Sequence, residues 1–284
     1  MSARRSLILV TGASGFVGQA LCARLAIAGL DVLAVSRQPS HIDNRVRTLV
    51  VDNYALLANM PEVLAAAVAI IHLADRSHRK SYTGHNYAEA AEVVEQLAAA
   101  AGNAGVERFL FASSIYADHP EKTLYGRSKL AAELALARSA APFAAAVSLR
   151  LPPIYGDGAA GMFGALSDQI AKERPLPLGR AVAPRRFLGI DNLGSLVLSF
   201  CRDSNAGGIY SPADPEPISL KNLALEMSRI GGKRLRLFSV PFIDRLSTET
   251  IVEPAVARRE ADRVARDLAW RPEFTLGEQL GYLS

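Results

Sequence analysis

The sequence predicts a doubly wound α/β fold, a parallel sheet covered by helices on both faces, with a smaller carboxy-terminal lobe. Two observations carry this. Short apolar runs alternate with helical patterns from residue 7 to residue 151, and the rhythm then breaks at Pro152-Pro153. Strand, helix, strand in regular succession implies parallel neighbours joined by crossovers.

Leu7 to Val10 is a continuous apolar run ended by Thr11-Gly12, as expected of a strand buried on both faces. Phe16 to Ala28 has helical spacing, with Gly29 placed to stop it. Asp31 to Ser36 and Arg47 to Val51 read as the next strands, Tyr54 to Ala67 as a helix and Ala69 to Leu73 as a fourth strand. The Ala-rich stretch Glu89 to Ala101 reads as a helix, Arg108 to Ser113 as a strand, Ser128 to Ala137 as a helix and Val147 to Leu151 as a sixth strand. Beyond the two prolines, Leu193 to Cys201 reads as a helix and Gly208 to Ser211 as a strand that can rejoin the sheet. The expected division is residues 1–156 plus about 181–212 in one domain, and 157–180 plus 213–284 in the other.

Composition excludes several classes. The 284 residues are 50% hydrophobic and 21% charged, enough apolar material for a core and too little charge for a disordered chain. A net charge of +4 from scattered residues suits a small anion better than nucleic acid, which is not expected as a partner. Cys22 and Cys201 are far apart and form neither a disulfide framework nor a zinc pattern, which points to the cytoplasm. No membrane anchor is expected, since Val63 to Ala74, the longest apolar run, is too short to span and is interrupted by His72. His78, His85 and His119 lack ligand spacing, and no metal is expected.

The turn Thr11-Gly12-Ala13-Ser14-Gly15-Phe16-Val17-Gly18 follows the first strand and opens the first helix. A dinucleotide pyrophosphate needs a tight turn, close backbone approach and a helix amino terminus. Gly12, Gly15 and Gly18 can supply these, in GxxGxxG rather than GxGxxG spacing. In such a Rossmann arrangement the second strand's carboxyl end decides the nucleotide. It carries Ser36 and Arg37 and no carboxylate, which favours NADP(H) over NAD(H), although Arg37 stacked on adenine or facing solvent is the plainer alternative.

Tyr125 and Lys129, four residues apart, share one face at a helix start. An ammonium so placed favours the phenolate and makes the phenol a usable acid or base near neutrality. Ser113 and Ser114 end the preceding strand, where a hydroxyl can hold a substrate oxygen.

These residues, with Asp52-Asn53, His72-Leu73-Ala74, Phe111 to Ser114, Arg150 to Gly156, Arg185 to Leu193 and Leu268 to Pro272, resemble the extended short-chain dehydrogenase/reductase superfamily over nearly the whole chain. The resemblance is specifically to the NAD-dependent epimerase/dehydratase family, in its branch acting on UDP-linked N-acetyl or deoxy sugars as 4-epimerase or 4-keto reductase. It implies Tyr125 as catalytic acid/base, Lys129 on the nicotinamide ribose and Ser114 on the reacting oxygen. It also places Asp52 and Asn53 near the adenine, Leu73, Ala74 and Ser113 along the cofactor, Pro152 and Pro153 beside the nicotinamide, and Arg185 on the sugar-nucleotide diphosphate. The family often dimerises through two helices, here Glu89 to Ala101 and Ser128 to Ala137.

The chain departs from the family at three places. Ser114 and Tyr125 are only eleven positions apart, where the family carries a longer loop. Asp75 stands where a small apolar residue is usual and needs a cationic partner such as Arg76, Arg79 or Lys80. The position usually held by Asn falls on Ala90, with Asn86 one turn earlier. The expected activity is hydride transfer between nicotinamide and C4 of a nucleotide-linked sugar. The alternatives are a catalytically silent NADP(H)-binding sensor or scaffold, and a reductase of a non-nucleotide carbonyl.

Overall fold

In a computed structural model, residues 6–40, 42–75, 88–159, 161–245 and 248–281 are described. Arg76, Arg79, Lys80, His78, His85 and Asn86 fall outside them. The chain divides into two units: Met1–Arg150, Val197–Tyr210 and Asp267–Ala269 form the first, and Leu151–Leu196, Ser211–Arg266 and Trp270–Ser284 the second. Residues 181–196 thus fall in the second unit and not the first, because their partners lie there, as detailed below.

The first unit is built on a seven-stranded sheet in the order β3-β2-β1-β4-β5-β6-β9. Its strands are β1 (Leu7–Thr11), β2 (Asp31–Ser36), β3 (Arg47–Val50), β4 (Ala67–His72), β5 (Arg108–Ser114), β6 (Ala145–Leu151) and β9 (Gly207–Tyr210). β1 pairs parallel with β2 and β4, β2 with β3, β4 with β5, and β6 with β9. The last pairing brings the sequence-predicted returning strand into the sheet. Strand order reverses between β1 and β4, the place where an open parallel sheet has its binding crevice.

Helices α1 (Phe16–Ile27), α3 (Glu89–Asn103) and α4 (Leu124–Arg138) cross between strands. The segment expected as one helix from Tyr54 to Ala67 is a 3-10 turn, Tyr54–Asn59, followed by α2 (Pro61–Ala66). Pro61 explains the break, since it has no amide proton to continue the turn and sits at the first helical position. Leu9, Val35, Ile70 and Phe109 of the sheet meet Val94, Leu97 and Ala98 of α3 and Ala132 and Leu136 of α4 in one core. Cys22 and Cys201 are free and buried, and burial pushes both thiols up to about 12. Among the described residues, no helix is long and apolar enough to cross a membrane, and no group of three or more His, Cys, Asp or Glu could hold a metal ion.

The second unit contains β7 (Ile154–Tyr155), α5 (Gly161–Ala171), β8 (Leu188–Gly189), the first turns of α6 (Ile190–Asp203), α7 (Leu220–Ile230), α8 (Pro254–Asp267) and α9 (Leu276–Gly281). Tyr155, Phe163, Ile170, Phe187, Leu223 and Leu280 are part of its core. A polar knot fixes it. The buried Asp214 carboxylate accepts from Tyr155 Oη (2.5 Å), Asn192 Nδ2 (2.7 Å) and the Gly189 amide (3.2 Å). Asn192 Oδ1 accepts the amides of Glu273 and Phe274, and Trp270 Nε1 donates to Ser195 Oγ at 2.8 Å. A Cβ on Gly189 would fall on the Gln279 amide, so only glycine lets that side chain reach Tyr155 Oη.

Replacing Asn192 by Ala strips a donor from Asp214 and leaves two amides without their acceptor. The expected loss of stability is about 2–4 kcal/mol, read from urea unfolding.

Candidate active site

The glycine turn has the tight backbone the sequence predicts. Gly12 has φ +69°, and a Cβ there would lie 2.8 Å from the Ala74 amide nitrogen. A Cβ on Gly18 would come within 2.4 Å of Gly12 O, so that glycine lets α1 pack on the turn. Gly15 caps α1 with no side-chain hydrogen bond, and no acidic residue stands in the first turn. Ser14 and Gly15 are exposed, with Phe16 and Val17 half-buried beside them. The helix amino terminus therefore offers its amides to an anion.

Beside the turn lies a cleft of about 190 Å3 lined by residues that include Arg37, Asp52, Asn53, Tyr54, His72, Ala74, Asp75 and Ala90. Asn53 also caps the 3-10 turn, its side chain accepting from the Ala55 amide at 3.0 Å. Burial raises the Tyr54 phenol above its ordinary range, opposed by the Arg37 guanidinium and the Gly12 amide beside it. Ser36 donates its hydroxyl to Gln38 O at 2.5 Å, so it secures the end of β2. At the crevice between β1 and β4, Thr11 Oγ1 meets His72 Nδ1 at 2.9 Å and accepts the Ala74 amide at 3.3 Å, while the Leu73 amide donates to Thr11 O. Burial first, then the nearby Lys129 charge, lowers the His72 pKa to about 4 and keeps it neutral at pH 7. The glycine cradle, free helix end and cleft fit a dinucleotide.

At the carboxyl end of β5, successive side chains point to opposite faces. Ser113 turns its hydroxyl to the Glu133 carboxylate, while Ser114 caps the next 3-10 turn, Ile115–Asp118, accepting the Tyr116 amide at 3.4 Å. This compact turn leads to Thr123, whose side chain caps α4 through the Gly126 amide at 2.9 Å. Gly126 is required there, since a Cβ would sit 2.3 Å from Tyr116 O.

Tyr125 occupies the first turn of α4, its ring edge-on to Tyr116 at 5.9 Å between centroids. Lys129, one turn on, lies with Nζ 5.8 Å from the Tyr125 ring centroid and 4.8 Å from that of Phe111. Nζ donates to Ala112 O at 2.6 Å and ion-pairs with Asp75 Oδ2 at 2.7 Å. Among the described residues, Asp75 thus has Lys129 as a cationic partner. Desolvation works against the Lys129 charge, but Asp75, Tyr125 and Glu133 outweigh it and hold the pKa above its ordinary value.

One turn further, Glu133 is buried and receives Arg150 through Nε at 3.0 Å and Nη2 at 2.6 Å, and Arg150 Nη1 reaches Asp118 at 2.5 Å. Hydrogen bonding to Glu133 raises the Arg150 pKa. The sequence reading missed Glu133. Its position four residues after Lys129 and eight after Tyr125, on the same helical face, is the signal that could have found it.

In the second unit, Pro152 is buried and Pro153 half-buried, and Pro153 O accepts the Leu188 amide at 3.2 Å. Arg185 is 1% exposed, Nη1 donates to Thr250 Oγ1 at 2.7 Å, and its backbone bridges Ile218 and Ile251.

A glycine turn at the switch point, with a phenol and an ammonium on the helix after β5, defines an α/β oxidoreductase of the dinucleotide-binding class. The chain belongs to the NAD dependent epimerase/dehydratase family, whose profile matches residues 8–211. It is 30% identical over 257 residues to a ceramide reductase of Caulobacter vibrioides, covering 88% of this chain and 78% of that protein. It is 24% identical over 237 residues to a UDP-2-acetamido-2,6-beta-L-arabino-hexul-4-ose reductase of Pseudomonas aeruginosa, covering 81% of this chain and 59% of that protein. In fold it is similar to MoeE5 solved with UDP-glucuronic acid and NAD, with TM-score 0.75, 23% identity and coverage of 97% of this chain and 96% of that one.

The neutral His72 gives a pH dependence. The unfolded chain takes up a proton near pH 6.5 and the folded chain only near 4, so stability falls as pH drops through that window. The contribution is roughly 3 kcal/mol at most. Urea unfolding from pH 4 to 8 is expected to show a shallower slope in His72→Gln than in the parent.

Proposed function

We propose that this protein is an NADP(H)-dependent reductase that converts a ketone to a secondary alcohol. The observation that carries it is the placement of Tyr125 and Lys129 on adjacent turns of α4. A reduced nicotinamide bound here would supply hydride to the ketone carbon, while Tyr125 gives its proton to the ketone oxygen and the phenolate recovers one from water. Ser114 donates a hydrogen bond to that oxygen, and Lys129 would hold the nicotinamide ribose. Asp52 and Asn53 would flank the adenine, and Leu73 and Ala74 would line the channel. Net reduction is preferred to redox-neutral epimerisation because Arg37 stands at the rim of the cleft, suited to a 2′-phosphate, and both curated relatives carry reductase names.

Two substrate classes fit. A nucleotide-linked sugar ketone, reduced at C4 and most simply UDP-linked, is supported by the family and by the Pseudomonas relative. It requires Arg185 to grip a diphosphate. A non-nucleotide ketone, such as the keto counterpart of a ceramide, is supported by the Caulobacter relative and favoured by the burial of Arg185 against Thr250. We also infer a cytoplasmic homodimer through the outer faces of α3 and α4, where Leu134, 52% exposed, is a residue it would cover.

NADPH oxidation measured with a UDP-linked 4-keto sugar and with a keto-ceramide separates the two classes. Cofactor binding without turnover on either would favour a silent sensor. Tyr125→Phe is expected to retain NADPH affinity and to lose kcat by about 10²-fold or more. Unchanged kcat would sink the acid role. Arg37→Ala is expected to weaken NADPH binding by roughly tenfold while leaving NADH nearly unaffected, read by fluorescence titration.

A further inference from the structure

Asp75 follows β4 by three residues, with its carboxylate 2.7 Å from Lys129 Nζ, and the two side chains are only 10% and 4% exposed. An ammonium that close to a phenol ordinarily stabilises the phenolate. Here the ammonium faces a carboxylate at contact distance. From β4 comes His72, neutral at pH 7. From β5 come the Phe111 ring and Ala112 O, neither of them charged. From α4 itself come Tyr125 and Glu133, and Glu133 is matched by Arg150 of β6, which also binds Asp118.

We propose that Asp75 is a positioning residue that cancels the Lys129 charge toward Tyr125, keeps Tyr125 a proton donor and so biases the site toward reduction. This rests on the reductase reading above. A ketone reductase needs the phenol, because the substrate oxygen must gain a proton as the carbon gains hydride. An alcohol-oxidising first step, as in an epimerase, needs the phenolate instead. A small apolar residue at position 75 leaves the ammonium uncompensated and serves the second need, whereas Asp75 serves the first.

The test is the pH dependence of reduction in the parent, Asp75→Asn and Asp75→Ala. Loss of the carboxylate is expected to move the alkaline fall of kcat/KM to lower pH by on the order of one unit, and to raise kcat for alcohol oxidation at neutral pH, where more of the phenol is then ionised. A fall that stays in place in both variants overturns the proposal.

A substrate-free measurement separates this from the reductase reading. The ultraviolet titration of Tyr125, taken as the difference between each protein and its Tyr125→Phe partner, is expected to move to lower pH in Asp75→Asn. It is expected to be unaffected by that substitution when Lys129→Met is already present. A titration that moves in a protein that reduces no ketone supports the role of Asp75 while defeating the reductase reading, and one that does not move defeats the role of Asp75.

Discussion

A buried ammonium has to be compensated, and the carboxyl end of the sheet is organised around that need. Lys129 cannot stay charged inside the protein unless oxygen atoms replace the water it has lost. The Ala112 carbonyl and the Asp75 carboxylate do so, and both reach it because β4 and β5 are adjacent and parallel, ending at the same edge. Tyr125 stands over the same group one helical turn earlier. Three elements thus meet at Lys129, and the segment that carries Asp75 also lines the neighbouring cleft.

Beneath that layer, a second set of charges braces the helix. Glu133 and Arg150 form a bidentate pair between α4 and β6, with Ser113 and Asp118 completing the network. Arginine suits this place because its fork meets both carboxylate oxygens at once and its charge does not titrate. The pair fixes the rotation of α4 about its axis. Since Tyr125, Lys129 and Glu133 lie along one stripe of that helix, fixing the last orients the first two. Thr11 does similar work on the other side of the crevice, where one hydroxyl joins β1 to both His72 and the Ala74 amide.

Much of this was legible in the sequence, where residues report their environment through periodicity. The strands of the sheet were readable as apolar runs bounded by turn residues, and the glycine turn and the Tyr125/Lys129 spacing marked segments that lie at the carboxyl end of the sheet. What was not legible depends on contacts between distant segments. The broken helix at Pro61 was a local signal outweighed by the apolar pattern around it. Asp75 pairs with Lys129, 54 positions away, a contact no local pattern announces, while Arg76, Arg79 and Lys80 lie outside the described residues. Ser113 was read along the cofactor and Ser114 on the reacting oxygen, yet Ser113 turns its hydroxyl to the buried Glu133. The burial of Arg185 depends on Thr250, far along the chain, and no local pattern announces it.

The order in which the strands are made has a further consequence. β9 is the outermost strand beside β6, but more than fifty residues lie between Leu151 and Gly207, and nearly all of α6 must be synthesised first. During synthesis the six earlier strands can assemble while β6 still presents a bare edge of amides and carbonyls. An open edge of this kind is a template for pairing with another chain. The interval before Gly207 to Tyr210 emerges is thus when the nascent protein is most exposed to misassembly, and chaperone capture or slowed translation there would protect the sheet until its own last strand closes it.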